Sequence, residues 1–276
     1  MNRYVFGESV QGATHKRNNN KECQDSIKKM DADPDYVIVT VADGHGSASC
    51  PYSKTGSEIA VNVFCSVMKD YYEHYRTIDN GLDKLLTFLN REGDLKVAQT
   101  IDAEWKRRVY KQHKRLRRDV PLLENAQPDK QSIYKMYGST LLGLLITKEF
   151  IYAFQLGDGD ISFVNDKKII PVLEPDKILG VETHSLSKEG SWKKAISKAI
   201  KRNYDTDTPY MYMLTSDGMA NSFVSNDEFY KSCKDYFSLI KENGQTEVSK
   251  NLKEWLTETS EQGCGDDISV MFVFVN

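Results

Sequence analysis

The chain has 276 residues, 39% of them hydrophobic and 28% charged, with a formal net charge of -3. A chain of this length can be organised around one core, so a single domain over residues 1–276 is expected, and the charge balance excludes a general drive toward nucleic acid or anionic membrane. Five cysteines, an odd number without a Cys-x-x-Cys pair, argue against both a disulfide framework and a structural zinc site.

The opening Met1-Asn2-Arg3-Tyr4-Val5-Phe6 lacks the apolar core of a secretory leader, and no later segment approaches ~18 uninterrupted apolar residues. A cytoplasmic location is therefore expected. Arg3 to Val10 and Tyr36 to Ala42 read as strands, separated by the polar and functional-looking loop Gly12 to Gln24. From Tyr52 the period changes: Ile59, Ala60, Val63, Phe64, Val67 and Met68 form the stripe of a helix with one buried face. Further helical stretches are expected at Leu82 to Leu89 and Leu95 to Arg118. The second carries the basic tract Lys106 to Arg118, read as a solvated face, with His74 and His113 also read as solvated. Pro121 and Pro128 mark a loop.

Thr140 to Thr147 and Phe150 to Leu156, around the turn Lys148-Glu149, predict an antiparallel hairpin in the core, and Ile161 to Val164 with Lys168 to Val172 predict another. Glu174 to Arg202 mixes loop and helix, with Trp192, Ala195, Ile196 and Ala199 spaced for a packed helical face. A strand at Tyr210 to Thr215, helices at Asp227 to Ile240 and Thr246 to Leu256, and a strand at Ile268 to Val275 complete the chain.

Four of these strands carry acidic residues at one end. Asp43, Asp158 and Asp217 follow their strands, whereas Asp266 precedes its strand, so an antiparallel arrangement can bring all four to one rim. Clustered carboxylates repel one another and hold their protons unless cations neutralise them. An all-oxygen donor set with glycine neighbours suits a hard cation such as Mg²⁺ or Mn²⁺ better than zinc. A pair of such ions suits phosphoryl transfer to water.

In this order, Gln24-Asp25, Asp43-Gly44-His45-Gly46, Gly138-Ser139-Thr140, Gly157-Asp158-Gly159, Ser216-Asp217-Gly218 and Asp266-Asp267-Ile268-Ser269 resemble the metal-dependent protein phosphatase 2C (PPM) family over nearly the whole chain. The loop Thr14-His15 to Cys23-Gln24-Asp25, with Val181 to Leu186, resembles a bacterial subgroup of it. The resemblance implies an α+β fold, a four-layer α-β-β-α sandwich of two antiparallel sheets flanked by helices, with a Mn²⁺ or Mg²⁺ pair at one end. It implies that Asp43 bridges both ions, that Gly44 lends its carbonyl, that Asp217 and Asp266 hold the second ion, and that Asp25 supports the cluster through water. Asp158 falls where bacterial-type members hold a third ion. His45 would be the general acid, since an alkyl alkoxide is a poor leaving group without a proton donor. The phosphate-holding arginine of many members has Arg17 and His15 as its nearest matches.

Two motifs depart from the family: Gly157-Asp158-Gly159-Asp160 stands for Gly-Asp-Ser-Arg, and Asp266-Asp267 for Asp-Asn. Neither removes an implied ligand. The expected activity is hydrolysis of phosphoserine and phosphothreonine in a phosphorylated protein substrate, with no nucleic-acid or membrane partner and with a kinase or sensor encoded separately. The alternatives are a weak or inactive phosphatase-like module that binds phosphoproteins, and a calcium-binding structural domain. The bland readings treat Gly138-Ser139-Thr140 and His184 as structural, and Cys50 as a residue whose exposure decides its reactivity.

Overall fold

The computed structural model describes residues 3–17, 21–174, 183–202 and 208–276. In chain order these form β1 (Arg3–Val10), α1 (Ala13–Arg17), β2 (Ser26–Met30), β3 (Tyr36–Ala42), α2 (Ser53–Arg76) and α3 (Gly81–Glu92). After a wide helical turn at Gly93–Val97 come α4 (Ala98–Arg115), α5 (Lys130–Lys135), β4 (Leu141–Thr147), β5 (Phe150–Leu156), β6 (Asp160–Asn165) and β7 (Ile169–Pro171). The remainder is β8 (Ile196–Lys201), β9 (Tyr210–Thr215), α6 (Asp217–Ala220), α7 (Asn226–Gln262) and β10 (Ile268–Val275).

Two five-stranded sheets result, in the orders β1-β10-β9-β6-β7 and β2-β3-β4-β5-β8, with every pairing antiparallel. Strands β3, β4, β5, β9 and β10 are buried on both faces because each sheet is covered twice. In β3, Val37, Val39 and Val41 join Leu142, Leu144, Leu214 and Val273 between the sheets. Tyr36, Ile38 and Ala42 point the other way, to Phe64, Met68, Leu85 and Trp105 beneath α2, α3 and α4. The outer face of the first sheet buries Phe272, Phe274 and Met213 against Phe229, Phe237 and Leu252 of α7. This is the expected four-layer α-β-β-α arrangement, since a period of two places successive side chains on opposite sheet faces.

Helix α7 starts at the cap Ser225, whose side chain accepts from the Glu228 amide, and it breaks at Gly244 (φ 78°, ψ 163°). The two helices expected on either side of that residue are therefore present. Other expectations change. Trp192, Ala195, Ile196 and Ala199 do not share a helical face: a short turn at Ser191–Lys194 leads into β8, which pairs with β5 from Gln155↔Ile196 to Phe150↔Lys201. The open backbone edge of β5 decides the conformation, and the exposed lysines Lys198 and Lys201 blunt the new edge. The short helix α1 lies inside the expected loop Gly12 to Gln24, and strand β2 and helix α5 fall on stretches for which no element is expected. The part of the Glu174 to Arg202 expectation that covers residues 175–182, including Val181 and Glu182, lies outside the described residues. Among the described residues no helix is long and apolar enough to cross a membrane.

Candidate active site

The rim forms where the sheets meet. Asp43 leaves β3, Asp158 lies in the crossover from β5 to β6, and Asp217 opens α6 directly after β9. One carboxylate oxygen from each lies within 4.8 Å of the others, and all three residues are half-buried. Asp25, just before β2, sits below them at 1% exposure. The hydroxyls of Ser216 and Ser269 reach it, yet its Oδ2 is buried without a hydrogen-bond partner. Asp266 lies outside the tight group of three with its side chain 54% exposed, and its charge still acts on Asp43.

Burial and crowding act together on these carboxyls. Burial, reinforced by the charge of Asp267, raises the Asp25 carboxyl to about 7. Burial also lifts Asp43 well above the usual carboxylate range, aided by Asp25, Asp217, Asp266 and Asp158. An acidic cluster that would otherwise hold protons, with one buried oxygen lacking any donor, fits a divalent hard cation.

The turn after β3 is fixed by its neighbours. Thr140 donates its amide to the Asp43 carbonyl at 2.8 Å, the Asp43 amide donates to Thr140 Oγ1 at 3.0 Å, and the His45 amide donates to the Gly138 carbonyl at 3.1 Å. Gly44 passes so close to other backbone that a Cβ would lie 2.6 Å from the Gln24 carbonyl oxygen and 2.8 Å from that of Ser53. Gly138 plays the matching part below His45, since a Cβ there would lie 2.5 Å from the imidazole Cδ2. Glycine permits both close approaches, backbone to backbone at Gly44 and imidazole to chain at Gly138.

Behind Gly138, Tyr137 is fully buried. Its hydroxyl accepts from Arg118 Nη1 at 2.5 Å and lies 3.2 Å from His113 Nδ1. The Arg118 guanidinium stands 3.4 Å over the Tyr52 ring. His113 is therefore not solvated as expected. It is 0% exposed, with Nε2 2.8 Å from the Asp119 carbonyl, because the chain turns back over the end of α4. The reading of Lys106 to Arg118 as wholly solvated changes in the same way at Arg118. Cys50, also buried, places Sγ 3.1 Å from the Lys135 carbonyl and packs behind His45.

Asp267 is a site residue that the motif reading missed. At 4% exposure it accepts from the Gly12 amide at 2.7 Å and the Gln24 amide at 2.7 Å, and its Oδ1 lies 2.9 Å from His15 Nδ1. It ties Gly12, His15 and Gln24 to the start of β10, a signal visible in sequence only as a second acid after Asp266. Arg17 ends α1, exposed, with no hydrogen bond or ion pair to the described residues. Thr183 Oγ1 donates to Asp158 Oδ2 at 2.6 Å and Asn221 Nδ2 to Asp217 Oδ2 at 3.0 Å, two orienting contacts with no motif signal.

A carboxylate cluster where two sheets meet can hold hard cations of the kind that activate water for hydrolysis. Residues 11–257 match the model of protein phosphatase 2C, and the chain belongs to that family of protein serine/threonine phosphatases. The fold resembles a serine/threonine phosphatase of S. agalactiae, with 14% identity, a TM-score of 0.63 and 100% of both chains covered. It also resembles the catalytic domain of the serine/threonine phosphatase PstP solved with 2 manganese ions, at 12% identity, TM-score 0.56 and 99% of each chain. RsbX in complex with magnesium is similar over 99% of this chain and 96% of its own, at 14% identity and TM-score 0.50. No curated protein matches the chain by sequence.

Proposed function

We propose that the protein hydrolyses phosphoserine and phosphothreonine in protein substrates, with water as nucleophile and two Mn²⁺ or Mg²⁺ ions at the rim. The convergence of Asp43, Asp158 and Asp217 above the unpartnered oxygen of Asp25 carries this reading. Asp43 would serve both ions and the Gly44 carbonyl one of them, Asp217 and Asp266 would hold the second, Asp25 would act through water, and Asp158 would serve a third. Bound cations supply the positive charge that acidifies water and offsets charge on the transferring phosphoryl group.

The chain's own residues divide the remaining work. Asn221 and Thr183 orient the carboxylates of Asp217 and Asp158. His45, pressed against Gly138, presents its imidazole as the acid that protonates the departing serine or threonine oxygen. The five cysteines are all unpaired thiols, in keeping with a reducing cytoplasm, and a separately encoded kinase would generate the substrate.

The test is Mn²⁺-dependent release of phosphate from a phosphoserine peptide and from p-nitrophenyl phosphate by the wild type, Asp43→Ala and Asp217→Ala. Both variants should lose activity on both substrates. Near-native turnover by either would overturn the site, and a wild type that binds the peptide without hydrolysing it would favour a regulatory binding module.

A further inference from the structure

A phosphate ester carrying negative charge must approach a rim made of carboxylates, so some cation of the chain has to meet it. Arg17, the match by motif, is exposed and turned to no described partner. Arg118 is held between Tyr52 and Tyr137. Lys54 donates to the Asp25 carbonyl and to Ser26 Oγ, and pairs with Glu58. Each of the last two is committed to structure.

Lys21 and the imidazole of His15 converge on one point beside Gly46. A Cβ placed on Gly46, next to His45, would have three polar atoms around it: Lys21 Nζ at 3.7 Å, Gln24 Oε1 at 3.7 Å and His15 Nε2 at 3.8 Å. Lys21 donates to the Gly46 carbonyl, which uses one of its three N–H groups. His15 Nδ1 is engaged by Asp267, so the ring is fixed with Nε2 toward this point, 4.0 Å from Asp266 Oδ1 and beyond hydrogen-bond reach of it. Gln24 is 4% exposed, and its Oε1 is buried without a partner while its Nε2 donates to Ser53 Oγ at 2.5 Å. Lys21 therefore offers N–H donors for phosphoryl oxygens, His15 turns a ring nitrogen to the same point, and Gln24 Oε1 is an unfilled acceptor, which suits the peptide N–H of a phosphorylated residue.

On the reading of the chain as a phosphatase, we propose that Lys21 and His15 hold the substrate phosphoryl group at the mouth, that Asp267 positions His15, and that Arg17 does not take part. Glycine at position 46 keeps the space open. Its three neighbours stand at ordinary contact distance from an added Cβ, so Gly46→Ala is compatible with the fold yet puts a methyl group where they meet.

The experiment measures kcat and KM on p-nitrophenyl phosphate and a phosphoserine peptide for Lys21→Met, Lys21→Arg, His15→Gln, Gly46→Ala and Arg17→Ala. Calorimetric titration of the Mn²⁺-loaded proteins with inorganic phosphate gives a readout independent of turnover. Loss of one contact to the phosphoryl group should raise KM and weaken phosphate binding by about tenfold in Lys21→Met and His15→Gln, with kcat changed much less. Lys21→Arg should recover most of that loss, Gly46→Ala should share it, and Arg17→Ala should stay within about twofold of wild type on the same scale. Unchanged phosphate affinity in Lys21→Met and His15→Gln, or a tenfold loss confined to Arg17→Ala, would overturn the cradle and leave the phosphatase reading standing. A wild type without hydrolysis whose phosphate binding still depends on Lys21 would do the reverse.

Discussion

Asp25→Asn is expected to stabilise the metal-free protein. The Asp25 carboxyl, ordinarily near 3.8, is raised to about 7 by burial and then by Asp267. The folded state therefore binds this proton more tightly than the unfolded chain does, and stability falls as pH rises through the interval between those values. Below 3.8 both states are protonated and the penalty is absent; above about 7 it is complete. At ~1.4 kcal/mol per tenfold change in proton affinity, that interval corresponds to a penalty on the order of 4 kcal/mol at pH 8. At pH 5 it should be about a third of that, by the same proportion. An amide carries no charge, and its N–H₂ gives the crowded carboxylates the donor that the buried Oδ2 lacks. Thermal unfolding in chelator should show Asp25→Asn melting higher than wild type by about 5 °C or more at pH 8, with a smaller gain at pH 5. Saturating Mn²⁺ should reverse the order, because the wild-type carboxylate then has a cation to meet. A variant no more stable than wild type in chelator at pH 8, or equally stabilised at both pH values, would refute the reasoning.

His45→Ala should cost about a hundredfold or more in kcat on a phosphoserine peptide and far less on p-nitrophenyl phosphate, whose leaving group departs without a proton. An equal loss on both substrates would count against the acid role. Gly138→Ala places a methyl 2.5 Å from the His45 ring, closer than real Cβ contacts, so it should lower peptide turnover toward the His45→Ala value while Mn²⁺ affinity, read by calorimetry, stays near wild type. Unaltered peptide turnover would show that the ring does not depend on that contact.

Much of this architecture is legible in the chain because period-two strands with two apolar faces need cover on both sides. Tyr36 to Ala42 is the clearest case, and its burial is complete along its length. The carboxylate rim is legible for a related reason: acids at the ends of three strands and the start of a fourth can meet only if neighbours run antiparallel. The less legible parts depend on partners distant in sequence. Strand β2 reads Ser-Ile-Lys-Lys-Met, too polar to declare itself until β3 lends it a backbone. Helix propensity around Trp192 to Ala199 gives way to the edge of β5. His113 looks like one more polar residue in a basic helix, and only the returning chain buries it. Lys21 has no spacing signal at all, since its meeting with Gly46 is made by two loops.

The two halves of the acidic group have opposite energetic characters. Asp267 accepts hydrogen bonds from the backbone amides of Gly12 and Gln24 and holds His15, so its charge is met inside the protein and joins those three residues to β10. Asp25 and Asp43 receive too few donors for their charge, and burial drives both toward the protonated form. Asp25 and Asp43 belong to one sheet and Asp217 to the other, with Asp158 between them, so repulsion among these groups acts across the seam of the sandwich. The apolar layer between the sheets, from Val37 and Val39 to Leu214 and Val273, opposes that repulsion. On the proposed reading, strain of this kind is the cost of a cation site built before the cations arrive. On the same reading an arriving ion would offset charge at the seam, while Asp267, already satisfied, holds Gly12, His15 and Gln24 in place.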